Sequence, residues 1–242
     1  MSGVERLDFA ERWLRDGMSV LRPALSVHQI TVDMTNALAR FEQLRREGVH
    51  VGATHLLIQA AAKALAANPQ LHQIVAGSKR LRPESVDIGL SVAGETFVAP
   101  VLVIKEADKK TLAEIAAEIA TRTPAVRQQD AQMIKTLRRV GWLVPFGFLR
   151  RGLLRMLFTS PAFRRGGVGT FQVSMVPVDW ALSGTFSTAG VLVGGAIQSR
   201  VVAVDGVPVV RPMMTVTLSG DHGVWDGRAS ARFLSAVRGS LE

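Results

Sequence analysis

Met213-Met214-Thr215-Val216-Thr217-Leu218-Ser219 leads into Gly220-Asp221-His222-Gly223-Val224-Trp225-Asp226-Gly227, and Arg228 to Leu241 follows. The first seven residues are apolar and β-branched and read as a strand. The last stretch places Ala231, Phe233, Leu234 and Val237 at helical spacing and reads as the closing helix. The join therefore puts a histidine on the loop after a strand. Asp226 stands where a carboxylate accepts N–H bonds from the first turn of the next helix. A histidine in such a loop is the side chain best suited to take a proton near neutral pH. His222 is thus a candidate general base.

Upstream, Asp205-Gly206 between Val201–Val204 and Val207–Val210 is a hairpin signal. Strands are expected at Val27–Asp33, Leu71–Val75, Ser85–Val92, Phe97–Ile104, Thr170–Ser174, Gly190–Ile197, Arg200–Val204 and Met213–Ser219. Helices are expected at Val4–Arg15, Met34–Arg46, a nearly all-apolar stretch from a Thr54 cap to Asn68, and Thr111–Thr121. This mixed order is that of an α+β domain, and 242 residues can bury a sizeable core.

Composition narrows the chemistry. Hydrophobic residues make up 48% and charged residues 20% of the chain, so it is globular rather than disordered. With no cysteine, thiol nucleophiles, disulfides and thiolate metal sites are excluded. His28, His50, His55 and His72 show no metal-ligand spacing, so no metal is expected. Residues 1–15 interleave charges with apolar residues and lack a signal-peptide core, which makes the cytoplasm the expected location. The net charge of +9 is localised. From Ala131 to Val178 there is no acidic residue, but Lys135, Arg138, Arg139, Arg150, Arg151, Arg155, Arg164 and Arg165 are present. No nucleic-acid module accompanies them, so nucleic acid is not an expected partner.

Three collinear blocks carry a resemblance. The first is Val86-Asp87-Ile88-Gly89-Leu90-Ser91-Val92 through Val98-Ala99-Pro100-Val101 and on to Ala116. The second is Gly169-Thr170-Phe171-Gln172-Val173-Ser174. The third is Arg211 to Leu234 with His222-Gly223-Val224-Trp225-Asp226-Gly227. Together they resemble the catalytic domain of the 2-oxo acid dehydrogenase E2 acyltransferases, which shares its fold with chloramphenicol acetyltransferase. The resemblance implies a mixed sheet in two layers with helices on one side. It implies direct acyl transfer from a coenzyme A thioester, acetyl-CoA in the simplest case, with no permanently bound cofactor. It assigns His222 as base, Ser174 as the hydroxyl that holds the oxyanion, and Asp226 as a loop-fixing ion-pair partner of an N-terminal arginine, for which Arg12 is the candidate. It also implies a homotrimer with active sites between subunits.

Several features depart from that pattern. Residues 1–242 read as one catalytic domain, with 131–168 as a basic amphipathic insertion, and no lipoyl or subunit-binding domain is recognised. Gly223 stands where the family usually carries arginine, and Met175-Val176-Pro177 follows Ser174 in place of Asn-Leu-Gly. The chain therefore resembles standalone acetyltransferases of secondary metabolism, and the expected acceptor is a small-molecule hydroxyl such as a tetronate-type primary alcohol. The alternatives are transfer to lipoyl groups of a separate protein, and a non-catalytic trimeric scaffold. The insertion reads as a helical hairpin covering the core. It is also compatible with docking an acyl carrier protein, and a membrane-surface contact is the less favoured reading.

Overall fold

The strand expected at Met213–Ser219 extends over Val207–Asp221, and the sheet is assembled along it. The computed structural model describes residues 8–20, 25–76, 79–94, 98–160, 167–185 and 188–242. In chain order the elements are α1 (Phe9–Val20), β1 (Leu25–Asp33), α2 (Thr35–Arg46), α3 (Ala53–Ala67), β2 (Ile74–Ala76), β3 (Lys79–Leu81), β4 (Ile88–Ser91) and β5 (Val101–Ile104). There follow α4 (Leu112–Val140), α5 (Gly147–Thr159), β6 (Phe171–Met175), β7 (Gly190–Gly194), β8 (Gln198–Val204), β9 (Val207–Asp221) and α6 (Gly227–Leu241). Seven strands pair in the order β1-β9-β7-β6-β4-β5, with β8 also on β9, and β2 and β3 form a separate ribbon.

β9 is long because it serves two neighbours on one edge. β7 pairs with Val216–Gly220 and β8 with Val207–Met213, while β1 runs antiparallel along Met213–Asp221 on the other edge. Asp205 (φ 50°) and Gly206 (φ 79°) turn β8 into β9, the left-handed pair that such a tight hairpin requires. Alternation sorts the two faces. Met214, Val216, Leu218, Leu192, Val173 and Ile88 face the helices and join Leu57, Ile115 and Phe233 in the core. The other face is polar yet covered: Gln172, Thr215, Thr217 and Ser219 are all buried. The result is the expected α+β sheet with its helical layer on the apolar face.

Several local expectations change. The Thr111–Thr121 helix runs on to Val140 through Pro124. Its start is a reciprocal cap between Thr111 and Glu114. Beside the proline, the Thr123 hydroxyl donates to the Ile119 carbonyl at 2.6 Å, so the turn keeps a side-chain bond where the ring removes a backbone one. The α3 cap is not Thr54. Gly52 precedes the helix, and its N–H donates to His55 Nδ1 at 3.0 Å. Leu71–Val75 is mostly turn, and only Ile74–Ala76 pairs. The first helix begins at Phe9, and residues 4–7 of its expected span lie outside the described residues. The basic segment does not cover the core. α5 packs chiefly on α1, where buried Arg150 meets Asp16 at 2.7 Å.

A buried polar knot ties the far end of the sheet. Thr170 Oγ1 accepts from Asp87 N–H at 3.0 Å and donates to Asp87 C=O at 3.1 Å. Its single proton is thereby committed, so His72 Nε2, 2.7 Å away, carries the hydrogen of a neutral ring. Burial pushes His72 down to about 4, only partly opposed by Asp87 and Asp108. The folded value lies below the unfolded one, so the stabilising difference holds above pH 6.5 and is lost as pH falls toward 4. Between pH 7.5 and 4.5, denaturant titration should show the parent losing about 2 kcal/mol more stability than His72→Gln. Equal losses would mean that the histidine is not held neutral.

Candidate active site

The histidine loop is built from its two ends. At the strand end, Asp221 Oδ1 accepts from Gly223 N–H at 2.8 Å, and its carbonyl accepts from Val224 and Trp225 N–H at 2.8 and 2.9 Å. At the helix end, Asp226 Oδ1 accepts from Ala229 N–H at 2.7 Å, capping α6 as expected. Between them Trp225 is fully buried. Its Nε1 donates to the Ala189 carbonyl at 2.6 Å, and its ring lies edge-on to Phe233 at 5.1 Å and tilted to Phe171 at 6.2 Å. Gly220 makes room for it: a Cβ there would sit 2.4 Å from Trp225 Cδ1.

His222 and Gly223 are the part of the loop left in solvent. Among the described residues none hydrogen-bonds the His222 ring. His28 lies beside the loop, with its Nε2 3.9 Å from where a Gly227 Cβ would be. The Arg80 guanidinium reaches to 3.5 Å from the Gly223 carbonyl. Of the other histidines, His50 is exposed, and burial lowers the His55 pKa in its capping position. No group of His, Asp and Glu among the described residues is arranged to hold a metal ion.

Ser174 and His222 are not brought together in one chain. Ser174 is level with Val193, Val193 with Thr217, and Thr217 with Gln29. His222 is five residues beyond Thr217, about 17 Å along the strand at 3.3–3.4 Å per residue, and two strands away across the sheet. The Asp226 ion pair is also not formed: among the described residues no arginine contacts its carboxylate. Arg12 instead stacks on Phe9, 5.2 Å from the ring centre. The polar face holding the Ser174 row bears a groove of about 480 Å³. Gln29, Thr31, Thr215, Asp179, Trp180 and Arg200 line it, and Gln29 donates to Thr217 Oγ1 at 3.0 Å.

The family model for 2-oxoacid dehydrogenases acyltransferase (catalytic domain) matches residues 20–135 and 187–242. The chain belongs to this family. The unmatched residues, 136–186, contain most of the basic segment and Ser174. The lipoamide acyltransferase component of the branched-chain alpha-keto acid dehydrogenase complex of Bacillus subtilis is 30% identical over 217 residues, covering 87% of this chain and 45% of that protein. The chain thus spans about half the length of the curated relatives it matches. The crystal structure of the Azotobacter vinelandii dihydrolipoamide acetyltransferase superposes with a TM-score of 0.75 at 20% identity, covering 100% of this chain and 91% of that one. A chloramphenicol acetyltransferase gives 0.56 at 12% identity, over 100% and 98% of the two chains. Both likenesses establish the fold, in agreement with the sheet order above.

Trp225 and Gly220 are missing from the residues expected to matter. Four tryptophans in 242 residues, one of them inside the motif, were the available signal. Trp225→Ala removes a fully buried aromatic and should cost about 3–5 kcal/mol in denaturant unfolding. Gly220→Ala should release the loop by expelling the ring. A Trp225→Ala chain as stable as the parent would show that the ring does not anchor the loop.

Proposed function

We propose that this chain is an acyltransferase that moves an acyl group between a coenzyme A thioester and the thiol of a lipoyl group on a separate protein, with His222 as general base. One observation carries the reading: a chain of this family presents His222 to solvent on a loop fixed by the buried Trp225. In the forward step the imidazole takes the acceptor S–H proton, and the sulfur attacks the thioester carbonyl. The tetrahedral oxyanion then collapses, expelling coenzyme A thiolate, which recovers the proton from the imidazolium. No acyl-enzyme forms, in keeping with a site that contains no cysteine. Ser174 is assigned to hold the oxyanion through its hydroxyl. The separation within one chain means that the Ser174 facing a given His222 comes from a neighbouring copy, which supports a trimer with sites between subunits. Asp226 keeps the helix end and therefore the loop in place.

A second reading keeps the same base and replaces the thiol with a hydroxyl, such as a tetronate-type primary alcohol. The family model leaves out 136–186, and Met175-Val176-Pro177 follows Ser174 in that span. The acceptor side is thus the part of the site that differs most from the family.

Mass spectrometry of the acylated product, with acetyl-CoA as donor, decides between them. Dihydrolipoamide should be acetylated faster than simple primary alcohols, and the reverse order would select the hydroxyl reading. His222→Ala should lower the rate by about 10²–10⁴-fold, and Ser174→Ala by about 10²–10³-fold. Parental activity in His222→Ala would remove the central assignment.

A further inference from the structure

The segment that diverges from the family has a surface the acyl-transfer reading does not use. One side of α5 is fixed inward. The Arg150 guanidinium, 6% exposed, bonds Asp16 and the carbonyls of Val144 and Pro145. Phe158, two turns on, packs at Gly17 of α1. At about 100° per residue this orientation leaves Phe148, Leu149, Leu153, Met156 and Leu157 on the outer arc, with Arg151 and Arg155 along one flank. Phe148 is 67% and Met156 68% exposed. Trp142 and Phe146, in the turn before the helix, are exposed as well.

We propose that α5 and the turn before it form a docking surface for an anionic lipid bilayer. Charge selects this occupant. The 48 residues from Ala131 to Val178 contain no Asp or Glu, while Lys135, Arg139, Arg151 and Arg155 stand exposed among the apolar side chains. A second copy of α5 placed symmetrically on this face would oppose arginine to arginine, with no acid in the segment to neutralise either. A bilayer with anionic headgroups takes the arginines at its surface and the Phe, Leu and Met side chains just below it. Tryptophan suits the boundary between the two. No helix among the described residues is long and apolar enough to cross a membrane, so contact is peripheral. The surface is independent of the acyl-transfer reading.

Co-sedimentation of the full chain with vesicles tests the proposal. Phosphatidylcholine vesicles containing phosphatidylglycerol should bind the protein, in a salt-sensitive way, and pure phosphatidylcholine vesicles should bind it weakly. The pair Arg151→Gln/Arg155→Gln should weaken binding about thirtyfold, at roughly 1 kcal/mol per cation. The pair Phe148→Ser/Met156→Ser should abolish most of what remains. Circular dichroism should be unchanged, because all four side chains are exposed. A parent that stays in the supernatant with anionic vesicles overturns the proposal and leaves an acidic protein as the occupant. Undiminished vesicle binding by both variants also overturns it. So does a fall in molar mass of the Phe148→Ser/Met156→Ser chain by light scattering, which would assign the face to a second copy.

Discussion

The insertion of Trp225 beneath the end of β9 is the constraint on which the functional part of the molecule depends. The indole fills the space left by the missing Cβ of Gly220, ties its N–H to Ala189 at 2.6 Å and meets Phe171 and Phe233. A buried aromatic of this size contributes several kcal/mol. Its energy is spent at one point in the loop, three residues from His222. The chain between β9 and α6 is therefore closed tightly, and the residues with no packing role, His222 and Gly223, are the ones pushed outward. Loops that carry reactive groups work best when a rigid scaffold holds both ends. Here the scaffold is the longest strand of the sheet on one side and a capped helix on the other.

The same strand limits what one chain can do. Cross-strand register puts Ser174 in the row of Val193, Thr217 and Gln29, well down β9 from His222. A strand is stiff and its rise per residue is nearly constant, so no side-chain rotation closes that gap. If both groups act on one acyl carbon, they belong to different copies. The buried polar face, with Gln29 on Thr217 and the groove under Trp180 and Arg200, then becomes part of a wall shared between copies rather than an isolated cleft.

How much was legible depended on whether a feature was local. The strand-loop-helix unit around His222, the Asp205-Gly206 hairpin and the cap at Asp226 were readable because each rests on a few consecutive residues. Helix and strand ends were less so. Pro124 reads as a stop, yet α4 continues because its tertiary packing and the Thr123 hydroxyl hold the turn together. The cap of α3 was misplaced because His55, rather than a preceding Ser or Thr, supplies the acceptor. The basic segment was read as a cover for the core. Its real seat on α1 is fixed by the Arg150–Asp16 pair, a contact across 134 residues that periodicity does not reveal. Within the site, the base was legible. Its anchor was not, since a tryptophan in a motif carries no label saying that it is buried.

The account turns on His222 and Ser174 serving one reaction from two chains, and mixed oligomers test that most directly. His222→Ala and Ser174→Ala chains, each impaired alone, are to be unfolded together, refolded and assayed for acetyl transfer from acetyl-CoA. Shared sites require that some interfaces in the mixture pair an intact His222 with an intact Ser174, so activity should rise well above that of either variant. A mixture no more active than its parts, with mixed oligomers confirmed by mass, would contradict the account.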